Sequence, residues 1–297
     1  DNFLLYSFSF GVHAYTEGAR VDNIQIEGNT IVGAGLLSAR SGAKANILTG
    51  GRDGADFTKA LGNVLYYSPL DGRGMDLNYG TPCANPEVRD NYVVAETTVN
   101  IAGCSGVTMT GNTFYGFSGN LPSLYPSNTY LSSRPTGIRS FVRPNTYEPG
   151  RANITILNWD RAATVAVDVS AAGLSAGTRY EVRDARNFYG PAVATGTYSG
   201  APITLPMTGL VAAPPIGNVP IVPPHTAPEL GTFVLLPLGA PAPPPPSPLR
   251  LDAVTPNSGP AGGGSPLAIT GAGFDGSTTV YVGAAAALAV NVHDATH

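Results

Sequence analysis

A chain of 297 residues is long enough for two or three hydrophobic cores, yet only 12% of it is charged, against about 25% in an average soluble domain. Its polar surface must be built from Ser, Thr, Asn, Gly and Tyr, a composition that suits β-rich extracellular proteins. A net charge of −4 without a basic run argues against nucleic acid as a partner. No run of about 18 apolar residues is present, so membrane insertion through a helix is not expected.

The first stretch, Asp1-Asn2-Phe3-Leu4-Leu5, reads as the middle of a strand, with the expectation that earlier coils and any signal segment lie before it. A phrase then recurs: a period-2 apolar run, a turn Asn, and a second short apolar run. It spans Val21 to Val32 around Asn29, Phe57 to Tyr67 around Asn63, Val88 to Val94 around Asn91, and Val107 to Tyr115 around Asn112. The Asn intervals are 34, 28 and 21 residues, the size of units that stack on one another. In each unit, Ile24-x-Ile26 and its equivalents point apolar side chains to one face, and a Gly-Asn pair turns the chain through positive φ. Stacked copies pair in parallel, and Asn side chains at equivalent turns can form an amide ladder. Hairpins of an ordinary β-sandwich are the competing reading, but they need only about 8 to 12 residues per strand.

Ile26-x-Gly28-Asn29-Thr30-Ile31 and Val107-x-Met109-x-Gly111-Asn112-Thr113-Phe114-Tyr115-Gly116 resemble the secreted right-handed parallel β-helix proteins of bacteria, the pectate-lyase-like superfamily. The resemblance covers residues 1–125 and implies a fold, an extracellular or cell-surface location and polysaccharide as partner. Cys83 and Cys104 lie one coil apart, which permits a disulfide between successive coils or two buried thiols. Residues 118–136 lack periodicity and read as a connection.

From Gly137 the pattern changes to seven evenly spaced strands: 138–142, 152–159, 163–169, 179–184, 193–198, 203–207 and 232–236. They predict an antiparallel β-sandwich over residues 126–238, with Trp159 a core residue or, alternatively, a binding one. Tyr180-Glu181-Val182-Arg183-Asp184 and Thr232-Phe233-Val234-Leu235-Leu236 resemble the C-terminal β-sandwich of bacterial glycosidases and β-helix proteins, which implies a packing or carbohydrate-contacting accessory domain. Residues 239–248, with Pro243-Pro244-Pro245-Pro246, read as a semi-rigid linker. In 249–297, Val254-Thr255-Pro256-Asn257-Ser258-Gly259-Pro260 and Leu267-x-Ile269-x-Gly271-x-Gly273-Phe274 resemble the start of an IPT/TIG immunoglobulin-like domain. A full sandwich of that kind needs about 80 to 100 residues, so an incomplete core and weak order are expected there. The fold class is all-β: a β-helix, a β-sandwich and a partial immunoglobulin-like domain.

The lyase resemblance implies proton abstraction by an Arg or Lys base, with Ca²⁺ on clustered acids as the cofactor that chemistry allows. Asp71, Arg73 and Asp76 are the candidates, with Glu87, Arg89 and Asp90 nearby; Asp71-Gly72 also reads as a plain turn and Arg73 as a local ion pair with a carboxylate. A glycosidase would need two carboxylates about 5 to 9.5 Å apart. His13 is a candidate general base or a structural residue in Gly11-Val12-His13-Ala14-Tyr15. Four scattered histidines and no Cys-x-x-Cys argue against zinc. Tyr66, Tyr67, Tyr79, Tyr92 and Tyr115, with Phe117, are candidate glycan-stacking residues, although Tyr66 and Tyr67 must point to opposite faces. Two functions fit: a polysaccharide lyase or glycosidase with a groove on the coils, or a non-catalytic adhesive protein with a β-helix stalk and immunoglobulin-like spacers.

Overall fold

A computed structural model describes residues 1–38, 42–68, 70–79, 82–215, 221–238 and 249–293. The linker expected at 239–248 lies outside the described residues. The chain divides into two compact units, Asp1–Ala240 and Pro241–His297.

The first unit opens with parallel strands delivered three at a time. Successive layers contribute β1 (Phe3–Leu5), β2 (Val12–Thr16) and β3 (Gln25–Glu27), then β4 (Thr30–Val32), β5 (Ala45–Gly51) and β6 (Lys59–Leu61), then β7 (Val64–Tyr66), β8 (Arg73–Tyr79) and β9 (Glu87–Arg89). The fourth layer has β10 (Tyr92–Asn100) and β11 (Thr108–Thr110), and the last strands are β12 (Thr113–Phe117) and β13 (Thr129–Leu131). A first column is β1, β4, β7, the start of β10, β12 and β13. The second is β2, β5, β8 and the end of β10, and the third is β3, β6, β9 and β11. Register is kept through the first column, Phe3 opposite Thr30, Val64, Tyr92, Thr113 and Thr129 in turn. Ile31, Ile47 and Ile26, one from each column, share a single buried cluster with Leu65, Met75 and Phe114, so the parallel sheets curl around one core.

The corner between the third and first columns carries the ladder. A positive-φ residue precedes each ladder Asn: Gly28 at 69°, Gly62 at 60°, Asp90 at 58° and Gly111 at 70°. Each Asn then gives its backbone N–H and Nδ2 to Oδ1 of the Asn one layer on, from Asn29 to Asn63, Asn91 and Asn112. The structure adds two members that the repeated phrase did not reveal, Asn2 and Asn128. Residues 118–136 are therefore more than a connection. They hold β13, the last ladder Asn and a one-turn helix, α1 (Leu121–Leu124), whose Leu121 is buried in the interior cluster. The interval from Asn112 to Asn128 is only 16 residues, too short for the period-2 runs that flag the other layers.

The rest of the first unit is antiparallel: β14 (Ile138–Pro144), β15 (Ala152–Asn158), β16 (Thr164–Val167), β17 (Arg179–Asp184), β18 (Ala194–Thr197), β19 (Ile203–Pro206) and β20 (Leu230–Pro237). These strands fall on the seven runs read from the sequence. Five form a sheet in the order β14-β15-β20-β17-β18, while β16 pairs β19. Ile154, Ile156, Val165, Leu205 and Phe233 pack between them.

The other face of that five-stranded sheet covers the first column. Leu157, Trp159 and Leu230 pack on Val32, Val64, Tyr66, Tyr92 and Val94. Thr30 and Thr155 hydroxyls bond at 2.6 Å, and Trp159 Nε1 donates to Tyr92 Oη at 3.2 Å. Strands covered on both faces read as continuous apolar runs, which is why Thr30-Ile31-Val32 and Val64-Leu65-Tyr66 are buried throughout.

The second unit has two antiparallel ribbons, β21 (Arg250–Thr255) with β22 (Ala268–Ala272) and β23 (Tyr281–Val282) with β24 (Ala285–Ala286). Among its described residues no hydrophobic side chain is fully buried, and Leu251, Tyr281 and Val282 are exposed.

Candidate functional site

With the first column covered by the antiparallel sheet, the outward face of the second column is the one that gathers residues of interest. His13, Leu48, Asp76 and Asn100 share one register row, and Tyr15, Gly50 and Tyr79 share the next. Phe10, His13, Tyr15 and Tyr79 form a chain of ring contacts, with centroids 4.5, 5.2 and 5.8 Å apart. Tyr15 and Tyr79 stand on strands separated by β5, about 9.6 Å apart at the backbone. Their rings meet because the residue between them is Gly50, which has no side chain to hold them apart. Gly50 and Gly51 have φ of 139° and 129°, a region L side chains rarely adopt, and a Cβ on Gly51 would collide with the Thr16 carbonyl. The Tyr15 hydroxyl donates to Glu17 Oε1 at 3.0 Å, and this bond pushes the Tyr15 pKa up.

At the other end of the face, Arg73 Nη1 meets Asp76 Oδ2 at 2.6 Å and Asn100 Nδ2 donates to Asp76 Oδ1 at 3.0 Å. The Asp76 side chain is 4% exposed and that of Arg73 51%. This arrangement fixes Arg73 in place. It presents a half-exposed cation on a buried carboxylate, and does not present a carboxylate to solvent.

The other predicted catalytic residues do not converge there. Asp71 sits in the β7–β8 loop, where its Oδ1 accepts the Gly72 N–H at 2.8 Å, as a turn residue does. Glu87 and Arg89 lie on the third column, paired with each other, and Lys59 is 3.8 Å from Glu87. Asp90 is at the ladder corner. His13 has the rings of Phe10 and Tyr15 as its neighbours. Among the described residues no three His, Cys, Asp or Glu gather in a metal-holding group, and of the acids named for Ca²⁺, Asp71 serves a turn and Asp76 an ion pair with Arg73.

Most of the tyrosines named for glycan stacking are placed otherwise. Tyr66 is 0%, Tyr67 1% and Tyr92 5% exposed. Tyr66 faces the antiparallel sheet and donates to Glu229 Oε1 at 2.7 Å, while Tyr67 faces the interior with its hydroxyl 2.7 Å from the Ala34 and Lys44 carbonyls. Burial drives the pKa of both phenols far up, and burial likewise raises that of Tyr92. Tyr115 packs edge-on against Trp159 with centroids 5.9 Å apart. Only Tyr79, 49% exposed, stands on the open face. Alternation along a strand distinguishes two faces, but not which of them a segment far along the chain will cover.

Glu229 carried no signal in the sequence. It accepts from Tyr66, Arg134 and Arg161, joining the parallel and antiparallel parts. Cys83 and Cys104 form a disulfide between successive layers, which decides between bridge and free thiols.

Residues 249–297 match the IPT/TIG domain. No curated protein and no solved structure matches the chain. An immunoglobulin-like module of this kind suggests a spacer or adhesive part.

Proposed function

We propose that this chain is a non-catalytic extracellular module of a bacterial surface or secreted protein, which holds polysaccharide on a right-handed parallel β-helix and carries an immunoglobulin-like spacer. The observation that carries this reading is the contiguous ring chain Phe10, His13, Tyr15 and Tyr79 on the second column. Aromatic faces stack on the apolar C–H surface of sugars without any bond being broken. Register rows run from layer to layer, so a glycan chain lying along the stack would meet Tyr15 and Tyr79 in one row, with the Arg73 guanidinium at the far end of the Tyr79 strand. A low charge content and a disulfide between layers suit an oxidising, extracellular compartment. The lyase and glycosidase readings draw less support. Asp71 serves a turn, and Arg73 and Asp76 serve each other.

The test is affinity electrophoresis of the chain in gels containing neutral or acidic polysaccharide, with product assays for unsaturated and reducing ends in parallel. Retention by a glycan is expected, and loss of roughly tenfold in affinity, about 1.4 kcal/mol, on Tyr79→Ala or Tyr15→Ala at unchanged melting temperature. Absence of retention on every glycan would end this reading, and product formation would replace it with an enzyme.

A further inference from the structure

Two guanidiniums converge at the seam between the parallel and antiparallel parts. Arg134, between β13 and β14, and Arg161, between β15 and β16, each give Nη2 to one oxygen, Glu229 Oε2, at 2.8 and 3.1 Å. The other oxygen, Oε1, is filled by the Tyr66 hydroxyl at 2.7 Å and the Ser68 hydroxyl at 3.3 Å. The Glu229 side chain is 10% exposed, whereas those of Arg134 and Arg161 are 42% and 63% exposed. One buried negative charge thus faces two cations, and the surplus cation lies on the solvent side. Asp160, next to Arg161 in the chain, turns its Oδ1 to the Gly137 N–H at 2.7 Å and makes no ion pair with either guanidinium among the described residues.

Both arginines are held from behind. Asn158 is fully buried; its Oδ1 accepts the Ala162 N–H at 3.0 Å, and its Nδ2 donates to the Ala162 and Pro228 carbonyls at 2.8 Å. The Arg161 N–H donates to the Asn158 carbonyl at 3.0 Å. Arg161 takes this place at a φ of 54°, a region that long side chains rarely adopt. Backbone strain of this kind gathers at binding and catalytic sites. The Arg134 guanidinium lies over the Trp159 ring, 5.3 Å from its centroid. Neither guanidinium has a hydrogen-bond acceptor other than Glu229 among the described residues, so most N–H donors of each fork stay free for a ligand.

We propose that the two forks form an oxyanion site, which takes a sulfate, phosphate or carboxylate group on their solvent side and uses Glu229 as the buried strut that sets their spacing. The planar fork of arginine matches such oxygens two at a time, which a lysine ammonium does not. An oxyanion there neutralises the surplus cation and bridges loops β13–β14 and β15–β16. The site lies over the first column and does not rest on the polysaccharide reading of the second. The same chemical group can arrive as a free ion or on an acidic polymer.

Titration of tryptophan emission with sodium sulfate, at an ionic strength held constant with chloride, tests this on the unaltered chain, because Trp159 is the single tryptophan and Arg134 lies on its ring. A saturable change is expected. Arg161→Gly, which also relieves the positive φ, should bind sulfate roughly tenfold more weakly. Arg161→Lys keeps the charge, loses the fork and should weaken binding by a smaller factor. Arg151→Gln, in the β14–β15 turn, should titrate like the unaltered chain. Dextran sulfate separates the two sources: affinity per sulfate roughly tenfold above that of the free ion assigns the site to a polymer, equal affinity assigns it to the ion, and either result supports the site. A change that never saturates, an unaltered affinity in Arg161→Lys, or an equal loss in Arg151→Gln would each overturn the proposal.

Discussion

Asn63 gives both its backbone N–H and its Nδ2 to one oxygen, Oδ1 of Asn91, at 2.8 and 3.0 Å, and both residues are fully buried. The remaining Nδ2 proton of Asn63 goes to the Ile26 carbonyl at 2.8 Å. Asn63, Asn91 and Asn112 thus fill donors and acceptors in the layers on both sides, in a place water does not reach.

Replacing Asn63 with Ala would strand the Asn29 donors as well as the Ile26 carbonyl. With each buried unsatisfied group costing about 1–3 kcal/mol, the expected loss is ~3 kcal/mol by urea unfolding. Asn2→Ala, at an exposed position, should cost ~1 kcal/mol or less. Equal losses at the two positions would show that the ladder is not a cooperative stitch.

Asp90 occupies a corner position where the other layers have Gly28, Gly62 and Gly111, all at positive φ. A non-glycine residue there carries conformational strain, which Asp tolerates better than most. Asp90→Gly is expected to stabilise by ~0.5–1 kcal/mol. Gly62→Ala should destabilise by ~1 kcal/mol from backbone strain alone, because nothing lies within 4 Å of the added Cβ. Chemical denaturation of the two variants measures both signs.

Glu229 links stability to pH. Burial opposes its charge, but hydrogen bonds from Arg134, Tyr66 and Arg161 outweigh burial and hold the carboxyl below the ordinary glutamate range. A carboxyl with a lowered folded pKa adds stability that is complete above the unfolded value, about 4.3, and is lost as pH falls through the lower folded value. The joint between the parallel and antiparallel parts should therefore weaken on acidification below about pH 4. Trp159, the single tryptophan, lies in that joint, so its emission should shift in that window. Glu229→Gln should abolish this pH step while lowering stability at neutral pH, because Arg134 and Arg161 lose their partner. An unchanged acid transition in that variant would assign it to other groups.

The disulfide closes a loop of 21 residues between Cys83 and Cys104. Chain-entropy reasoning assigns such a cross-link about 3 kcal/mol. Paired Cys83→Ser and Cys104→Ser changes should lower the melting temperature by an amount matching reduction of the unaltered protein. A much larger fall would mean that the serines disturb the layer packing itself.

Local chemistry was legible in the residues themselves. Alternating apolar runs, Gly-Asn corners and evenly spaced β-branched segments marked nearly every strand of the first unit, because pleat and turn preference act within a few residues. Four ladder Asn residues were visible for the same reason. Asn2 and Asn128 were not, since in the given sequence no period-2 apolar run leads into either of them. Of the candidate site, His13, Arg73, Asp76 and Tyr79 were singled out from sequence, whereas Tyr15 joins Tyr79 only because Gly50 leaves the space between their strands empty.

Tertiary structure decided which faces are open. Tyr66, Tyr92 and Tyr79 are alike as outward aromatics of parallel strands, yet the first two are sealed under Trp159 and Glu229 and the third is not. The partners that bury Tyr66 lie 93 residues or more along the chain, at Trp159, and 163 residues along, at Glu229. Strand pattern arises from interactions within a layer and can be read in order. Coverage of a face depends on where a distant sheet docks, which no short stretch of sequence encodes.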